Sequence, residues 1–289
     1  MDRAAASADG VVSPHLAGLP IHKMTGSGND FVMVDGRISA PEEWSAADIR
    51  ATCARGTGVG ADGVVFLQPG SGPDCVRMIY FNSDGSRAAL CGNAALCSTR
   101  LAGPLGLATG GSMRLETDAG TYDSRLAAVP DRAELQLTPV AAPKELQQIN
   151  LAAGEHRLAL ALVGVPHLVL SVDDVDQVDL VARGRELRAH PAVSPEGANV
   201  NFVSPATGAG EWRMRTYERG VEAETLACGT GSVAAACALD LWGLSRLPTL
   251  IHTRSARRLE VRATRRPSGD YGDVWLIGEA RIVFRGVLS

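Results

Sequence analysis

Two Cys-Gly pairs, Cys91-Gly92 and Cys228-Gly229, each stand at the head of an Ala-rich segment. Such segments read as helices. A cysteine at a helix N-terminus meets backbone N–H groups without intrahelical partners and a macrodipole worth roughly half a positive charge. That position lowers a thiol pKa from about 8.5 toward neutrality. The same N–H groups, on Gly92-Asn93 and Gly229-Thr230, make an anion site that a carboxylate can occupy. Glycine directly after the thiol lets a ligand come close. A carboxylate held at both helix starts would carry a thiol on each side of its α-carbon. Inverting that carbon takes a base on one face and an acid on the other, and a thiolate with a thiol supplies both. The helix starts then stabilise the charge that spreads onto the carboxylate. No cofactor is expected: a pyridoxal-phosphate route needs a Schiff-base lysine, and the only lysines, Lys23 and Lys144, lie beside no Gly/Ser phosphate cradle.

The elements that must position these thiols come in two copies. Residues 77–96 and 213–236 both open with Arg-Met and reach an aromatic followed by a polar residue, Phe81-Asn82 and Tyr217-Glu218. Each then passes a charged, Gly-containing turn and arrives at Cys-Gly, the second copy with one extra residue. Gly106 and Gly243 follow at equal distances, and Gly60-Ala61-Asp62 and Gly197-Ala198-Asn199 precede at equal distances. A duplication accounts for all of these matches. The patterns predict helices over 41–54, 88–101, 179–190 and 230–242, with strands elsewhere in the majority. The expected fold is α+β, with two pseudo-symmetric domains, each a bent antiparallel sheet around a central helix, and an active site in the cleft between them. Their expected bounds are 21–138 and 139–274, divided at the Pro139 to Pro143 stretch, with a C-terminal strand over 275–289 returning to the first.

At 289 residues the chain has length for two domains. Apolar content of 45% and charged content of 21% are those of a globular protein, and a net charge of −4 argues against nucleic acid as a partner. Apolar runs such as 158–165 are too short to span a membrane. The Ala/Ser/Pro/Gly-rich start, broken by Asp2, Arg3 and Asp9, reads as a mobile extension over 1–20 rather than a signal peptide, which points to the cytoplasm. Six cysteines raise the question of metal, but Cys91 to Cys97 and Cys228 to Cys237 are too widely spaced for a zinc knuckle, so none is expected.

Plainer readings compete at several positions. Cys97 and Cys237, inside their helices, read as small buried hydrophobes, and Cys53 and Cys75 lie in no motif. Residues 229–234, GTGSVA, fit a dinucleotide fingerprint, yet an acidic segment precedes them and no acid follows at the required distance. A lone His167 after a proline is commonly a hydrogen-bonded core residue. Glu218 and Arg219 also fit a surface pair, and Asn29 and Asn199 suit turns that tolerate left-handed geometry.

Taken together, MTGSGNDFVMVDG (from Met24), GVGADG (from Gly58), YFNSDGS (from Tyr80), CGN (from Cys91), VPH (from Val165), PEGANVNFV (from Pro195) and RTYERGVEAETLACGTG (from Arg215) resemble the diaminopimelate epimerases, over nearly all of residues 21–289. Those are pyridoxal-independent enzymes of bacterial lysine and peptidoglycan precursor synthesis. The resemblance implies that Cys91 and Cys228 are the two bases, assisted by His167 and Glu218. It implies that Asn29, Gly92, Asn93, Gly229 and Thr230 hold the reacting end of the amino acid, while Asn82, Asn199 and Arg219 read the distal end. Three positions depart from the family pattern. Val165 replaces an asparagine before Pro166-His167, Ala94-Ala95-Leu96 replaces a segment with glycine and arginine, and Gly63 stands where many members have glutamine. The expected reaction is the interconversion of LL- and meso-diaminopimelate. The rivals are a racemase of another amino acid, favoured by Val165 and Leu96, and a non-catalytic amino-acid-binding module. The expected partner is a small-molecule amino acid, with no membrane and with a homodimer as the candidate assembly.

Overall fold

Runs such as Phe31-Val32-Met33-Val34 and Val64-Val65-Phe66-Leu67 are apolar at every position, the pattern of strands covered on both faces. A computed structural model describes residues 12–289 and divides the chain into two units, one running to Leu135 and completed by Glu279–Ser289, the other Gln136–Gly278. In chain order the first contains β1 (Pro20–Gly26), β2 (Asn29–Asp35), α1 (Ala46–Cys53), β3 (Gly63–Pro69), β4 (Cys75–Asn82), β5 (Arg87–Ala88), α2 (Gly92–Ala102), β6 (Ser112–Thr117), β7 (Gly120–Leu126) and most of β8 (Arg132–Leu137). The second contains β9 (Lys144–Glu145), β10 (Glu155–Val163), β11 (Val165–Val172), α3 (Leu180–Arg188), β12 (Asn199–Pro205), β13 (Glu211–Glu218), β14 (Ala223–Thr225), α4 (Gly229–Leu241), β15 (Thr249–His252), β16 (Arg258–Arg265) and nearly all of β17 (Tyr271–Glu279). The last strand, β18 (Arg281–Val287), pairs antiparallel with β1 in the first unit.

The fold is α+β, but its sheets are mixed rather than antiparallel. β2 and β3 run parallel, as do β4 and β6, and in the second unit β11 with β12 and β13 with β15. The cause lies in the connections: a helix, α1 to α4 in turn, sits inside each of these four crossovers, and a strand that returns by a helical crossover lies parallel to its predecessor. The repeat extends to register. Phe31 faces Gly63 where His167 faces Asn199, and Cys75 faces Arg114 where Glu211 faces Leu250. Tyr80 faces Ala88 where Thr216 faces Thr225, so the extra residue of the second copy is absorbed in the turn between β13 and β14.

Each sheet has a helix on both sides. In the first unit Val32, Val34, Val64, Phe66 and Ile79 pack with Trp44, Ile49 and Cys53. The other side is filled by α2, which lies against β1, β2, β3, β4, β6 and β7. In the second, Leu168, Leu170, Val200, Phe202 and Tyr217 pack with Leu180 and Leu187 of α3, while α4 lies against β10, β11, β12, β15 and β16. Helices enclosed in this way must be apolar all round. In α2 only Arg100 reaches beyond the buried class, and α4 is buried from Ser232 to Leu239.

Two expectations need correction. Residues 1–11 of the mobile extension lie outside the described residues, but from Ser13 on the segment is packed. The Ser13 N–H donates to Asp48 Oδ1 at 2.9 Å, and Leu16 and Leu19 are buried in the core with Trp44. The helix expected over 41–54 is a 3-10 turn, Pro41–Glu43, followed by α1. Ser45 restarts the chain as a helix through a capping box, its hydroxyl accepting from Asp48 N–H at 3.1 Å and Asp48 accepting from Ser45 N–H at 2.9 Å.

Candidate active site

The two cysteines occupy the same local geometry. Cys91 is the N-cap of α2 with φ −130° and ψ 118°, and Cys228 the N-cap of α4 with φ −130° and ψ 110°. Cys228 is buried, and its sulfur accepts from Gly231 N–H at 3.4 Å with Thr230 Oγ1 at 3.7 Å. Cys91 is half-buried and does not cap its helix through the side chain. Three of the other thiols are unsuited to proton transfer near neutral pH. Burial pushes Cys53 and Cys237 up to about 12 and Cys97 well above its ordinary value.

In the first unit the polar residues form one chain of hydrogen bonds. Asn29 Nδ2 donates to Asp62 Oδ2 at 2.9 Å, and Asn93 Nδ2 donates to Asn29 Oδ1 at 2.7 Å. A carboxylate only accepts, so Asp62 fixes the orientation of both amides. The outcome is that Asn93 Oδ1, buried in α2, has no hydrogen-bond partner among the described residues. Behind them Arg55 bridges Asp62 at 2.8 Å and Asp30 at 2.6 Å, and the buried Lys23 pairs with Asp30 at 2.7 Å and with the Gly60 carbonyl. Gly26 lets β1 approach this helix start, for a Cβ there would stand 2.7 Å from the Asn93 carbonyl oxygen. Gly92 is buried as the first residue of α2. Asn82 faces Gly63 across β4 and β3, and its amide donates to Ser86 Oγ at 3.0 Å. No side chain fits at Gly63 in this packing, since a Cβ would lie 2.5 Å from the Tyr80 ring. Leu96, the other departure in this unit, is fully buried as a core side chain.

In the second unit Asn199 stands beside His167 in the parallel β11–β12 register, and its Oδ1 accepts from Arg219 N–H at 2.8 Å. Arg219 also donates to the Glu196 carbonyl at 3.2 Å. Glu218 ends β13, half-buried, one residue before it. Gly229 and Thr230 begin α4. Val165 opens β11 after Gly164, whose φ of +70° makes the tight turn from β10. His167 is completely buried, and burial, reinforced by the positive charge of Arg219, depresses its pKa to about 3. Its Nε2 has no hydrogen-bond partner among the described residues.

Sequence reasoning passed over Asp62 as an orienting group, Lys23 as a buried cation and Asn201 of β12. Asn201 contacts His167, the Leu168 carbonyl and Thr216. The one local signal was a polar residue two places after Asn199 in an otherwise apolar strand.

The depressed His167 has a measurable consequence. From pH 6.5 downward the unfolded chain takes up a proton at this ring that the folded chain refuses until about 3. Stability therefore falls with falling pH through that window, by about 1.4 kcal/mol per pH unit from this group. Urea unfolding across a pH series should show that added slope in the wild type and lose it in His167→Gln; parallel slopes would contradict the assignment.

Among solved structures of this fold, a phenazine biosynthesis protein of the PhzF family from Bacillus anthracis superposes with TM-score 0.72 at 14% identity, covering 93% of this chain and 98% of that one. A hydroxyproline epimerase from Agrobacterium vitis superposes with TM-score 0.66 at 18% identity, covering 93% and 92%. At such identities the likeness is one of fold. The family model described as diaminopimelate epimerase matches residues 21–140 and 159–264. The diaminopimelate epimerase of Gemmatimonas aurantiaca is 45% identical over 92% of this chain and 98% of its own, and that of Aquifex aeolicus 39% identical over 92% and 96%. The protein is thus an isomerase of the epimerase class. It belongs to the diaminopimelate epimerase family.

Proposed function

We propose that the protein interconverts LL- and meso-diaminopimelate without a cofactor, by proton transfer through the thiols of Cys91 and Cys228. The observation that carries this reading is the matched pair of helix starts, each with a cysteine of φ −130° at the N-cap position within a register-matched repeat. One thiolate takes the α-hydrogen and the other thiol delivers a proton to the opposite face. The N–H groups of Gly92-Asn93 and Gly229-Thr230 receive the carboxylate as carbanion character develops. Asn93 Oδ1, an acceptor without a partner among the described residues, suits an ammonium N–H of the reacting end, with Asn29 holding it in place. His167 and Glu218 support the thiols, and Asn82, Asn199 and Arg219 read the distal end. The diaminopimelate epimerases among the relatives support the substrate; a place in lysine and peptidoglycan precursor synthesis, the cytoplasm and a homodimer belong to the same proposal. Appearance of solvent deuterium at the α-carbon during turnover of diaminopimelate tests the reaction. A protein that binds the amino acid but exchanges nothing would be a binding module instead.

One observation favours a second reading, a racemase of another amino acid: Val165 places an apolar side chain where the family carries an amide. With three distal polar residues retained, diaminopimelate remains the substrate, turned over with a raised KM. Val165→Asn should then raise kcat/KM for diaminopimelate by roughly tenfold, the worth of one recovered hydrogen bond of about 1–1.5 kcal/mol. No gain, together with faster wild-type racemisation of a mono-amino acid, would move the assignment to the second reading.

A further inference from the structure

Asn201 is fully buried between His167 and the start of α4. Its NH2 donates to the Leu168 carbonyl at 3.0 Å and lies 3.3 Å from His167 Nδ1, and its Oδ1 accepts from Thr216 Oγ1 at 2.9 Å. A backbone carbonyl has nothing to donate, so the NH2 end of the amide must be the end facing Leu168 and His167. The ring nitrogen opposite that NH2 must then be the acceptor, and the single proton of a neutral imidazole must sit on Nε2. Nε2 is a buried atom that finds no hydrogen-bond partner among the described residues.

We propose that Asn201 is a positioning residue that locks His167 as the neutral Nε2–H tautomer, so that His167 serves as a hydrogen-bond donor to negative charge in the reacting complex and not as a proton-accepting base. This rests on the epimerase reading above and says how one of its residues takes part. A neutral ring agrees with the burial of His167 on every side. The neighbouring groups add to it: Arg219 is the near cation, and the group that meets Nδ1 is the neutral amide of Asn201. The same Asn201 amide packs on Gly231, whose N–H holds the Cys228 sulfur, so donor and thiol are set by one buried group.

The test is NMR of protein carrying isotope-labelled histidine, with the His167 signals identified by their loss in His167→Gln. The expected result is an unprotonated Nδ1, a protonated Nε2 and no titration down to about pH 5. A proton on Nδ1, or titration within that range, overturns the proposal. This measurement uses the resting wild type, so it decides the matter even where no amino acid turns over, whereas absent deuterium exchange would refute only the epimerase reading. Two variants extend it. Asn201→Asp turns an acceptor toward Nδ1 and should move the proton there, lowering kcat by at least about tenfold and adding a new acid limb to the pH profile with little change in KM. An unchanged tautomer and rate in that variant would count against the inference. His167→Gln keeps a donor but cannot titrate, and should remain within about tenfold of wild type; inactivation as deep as that of the cysteine variants would mean that the ring carries a proton after all.

Discussion

Cys228→Ala protein is expected to wash solvent deuterium into the α-position of one diaminopimelate stereoisomer while inverting neither, and Cys91→Ala to do the same for the other isomer. Inversion needs a donor and an acceptor on opposite faces, whereas exchange needs only one group that takes a proton and returns it. Removing either thiol should therefore lower inversion by at least about 10²–10⁴-fold, the usual worth of a positioned acid or base. Serine is no substitute, because its hydroxyl does not ionise at the pH where a thiol at a helix start does. The two variants should differ in stability. Cys228→Ala deprives Gly231 N–H of its sulfur acceptor at 3.4 Å, an N-cap contact worth about 1 kcal/mol, while Cys91 makes no side-chain cap to lose. A chemical denaturation series on both proteins checks this and shows that lost turnover is not lost folding. Inversion at the wild-type rate by either variant would rule out the two-thiol mechanism.

The two candidate cysteines were legible because the chain presents their context twice, and two copies separate a motif from a chance Cys-Gly. The same duplication survives in strand register, down to the residue absorbed between β13 and β14. Strand direction was less legible. The runs at Phe31–Val34 and Val64–Leu67 carry no alternation because both faces are covered, and a strand with two apolar faces does not say which neighbour it joins. The helix-length segments between those runs were the available sign of parallel crossovers. The late start of α1 was also readable, since Ser45 and Asp48 stand at capping-box spacing. Asp62, Lys23 and Asn201 were passed over for a different reason. Their partners Asn29, Gly60 and His167 lie far away in sequence, and an orienting hydrogen bond leaves no local period. Leu96 reads as a departure from the family in sequence, and its complete burial makes it a core residue of α2.

Gly231→Ala should cost the enzyme at least about 100-fold in kcat/KM, although alanine is the better helix former by about 1 kcal/mol. The reason is local. A Cβ on Gly231 would stand 2.4 Å from Asn201 Oδ1 and 3.1 Å from Cys228 Sγ. The amide cannot step aside cheaply, since it is held by the Leu168 carbonyl and Thr216 and is fully buried. The helix start cannot either, because Ser232 N–H and Oγ both bond the Cys228 carbonyl at 2.9 Å. Whichever yields, the sulfur of Cys228 moves relative to the N–H groups of α4, or His167 loses the contact that orients it. A displacement of about 1 Å at a reacting centre is worth about 10²-fold in rate, and overpacking a core of this kind costs about 1–3 kcal/mol of stability. Gly111 provides the control: it is exposed, and beyond its chain neighbours nothing lies within 4 Å of where its Cβ would stand. Gly111→Ala should leave kcat/KM unchanged and stability within about 0.5 kcal/mol of wild type, as for a surface substitution that touches no packed group. If Gly231→Ala matched that control in both rate and stability, Asn201, Gly231 and Cys228 would not be packed as one unit, and the coupling between His167 and the thiol would have to run through other residues.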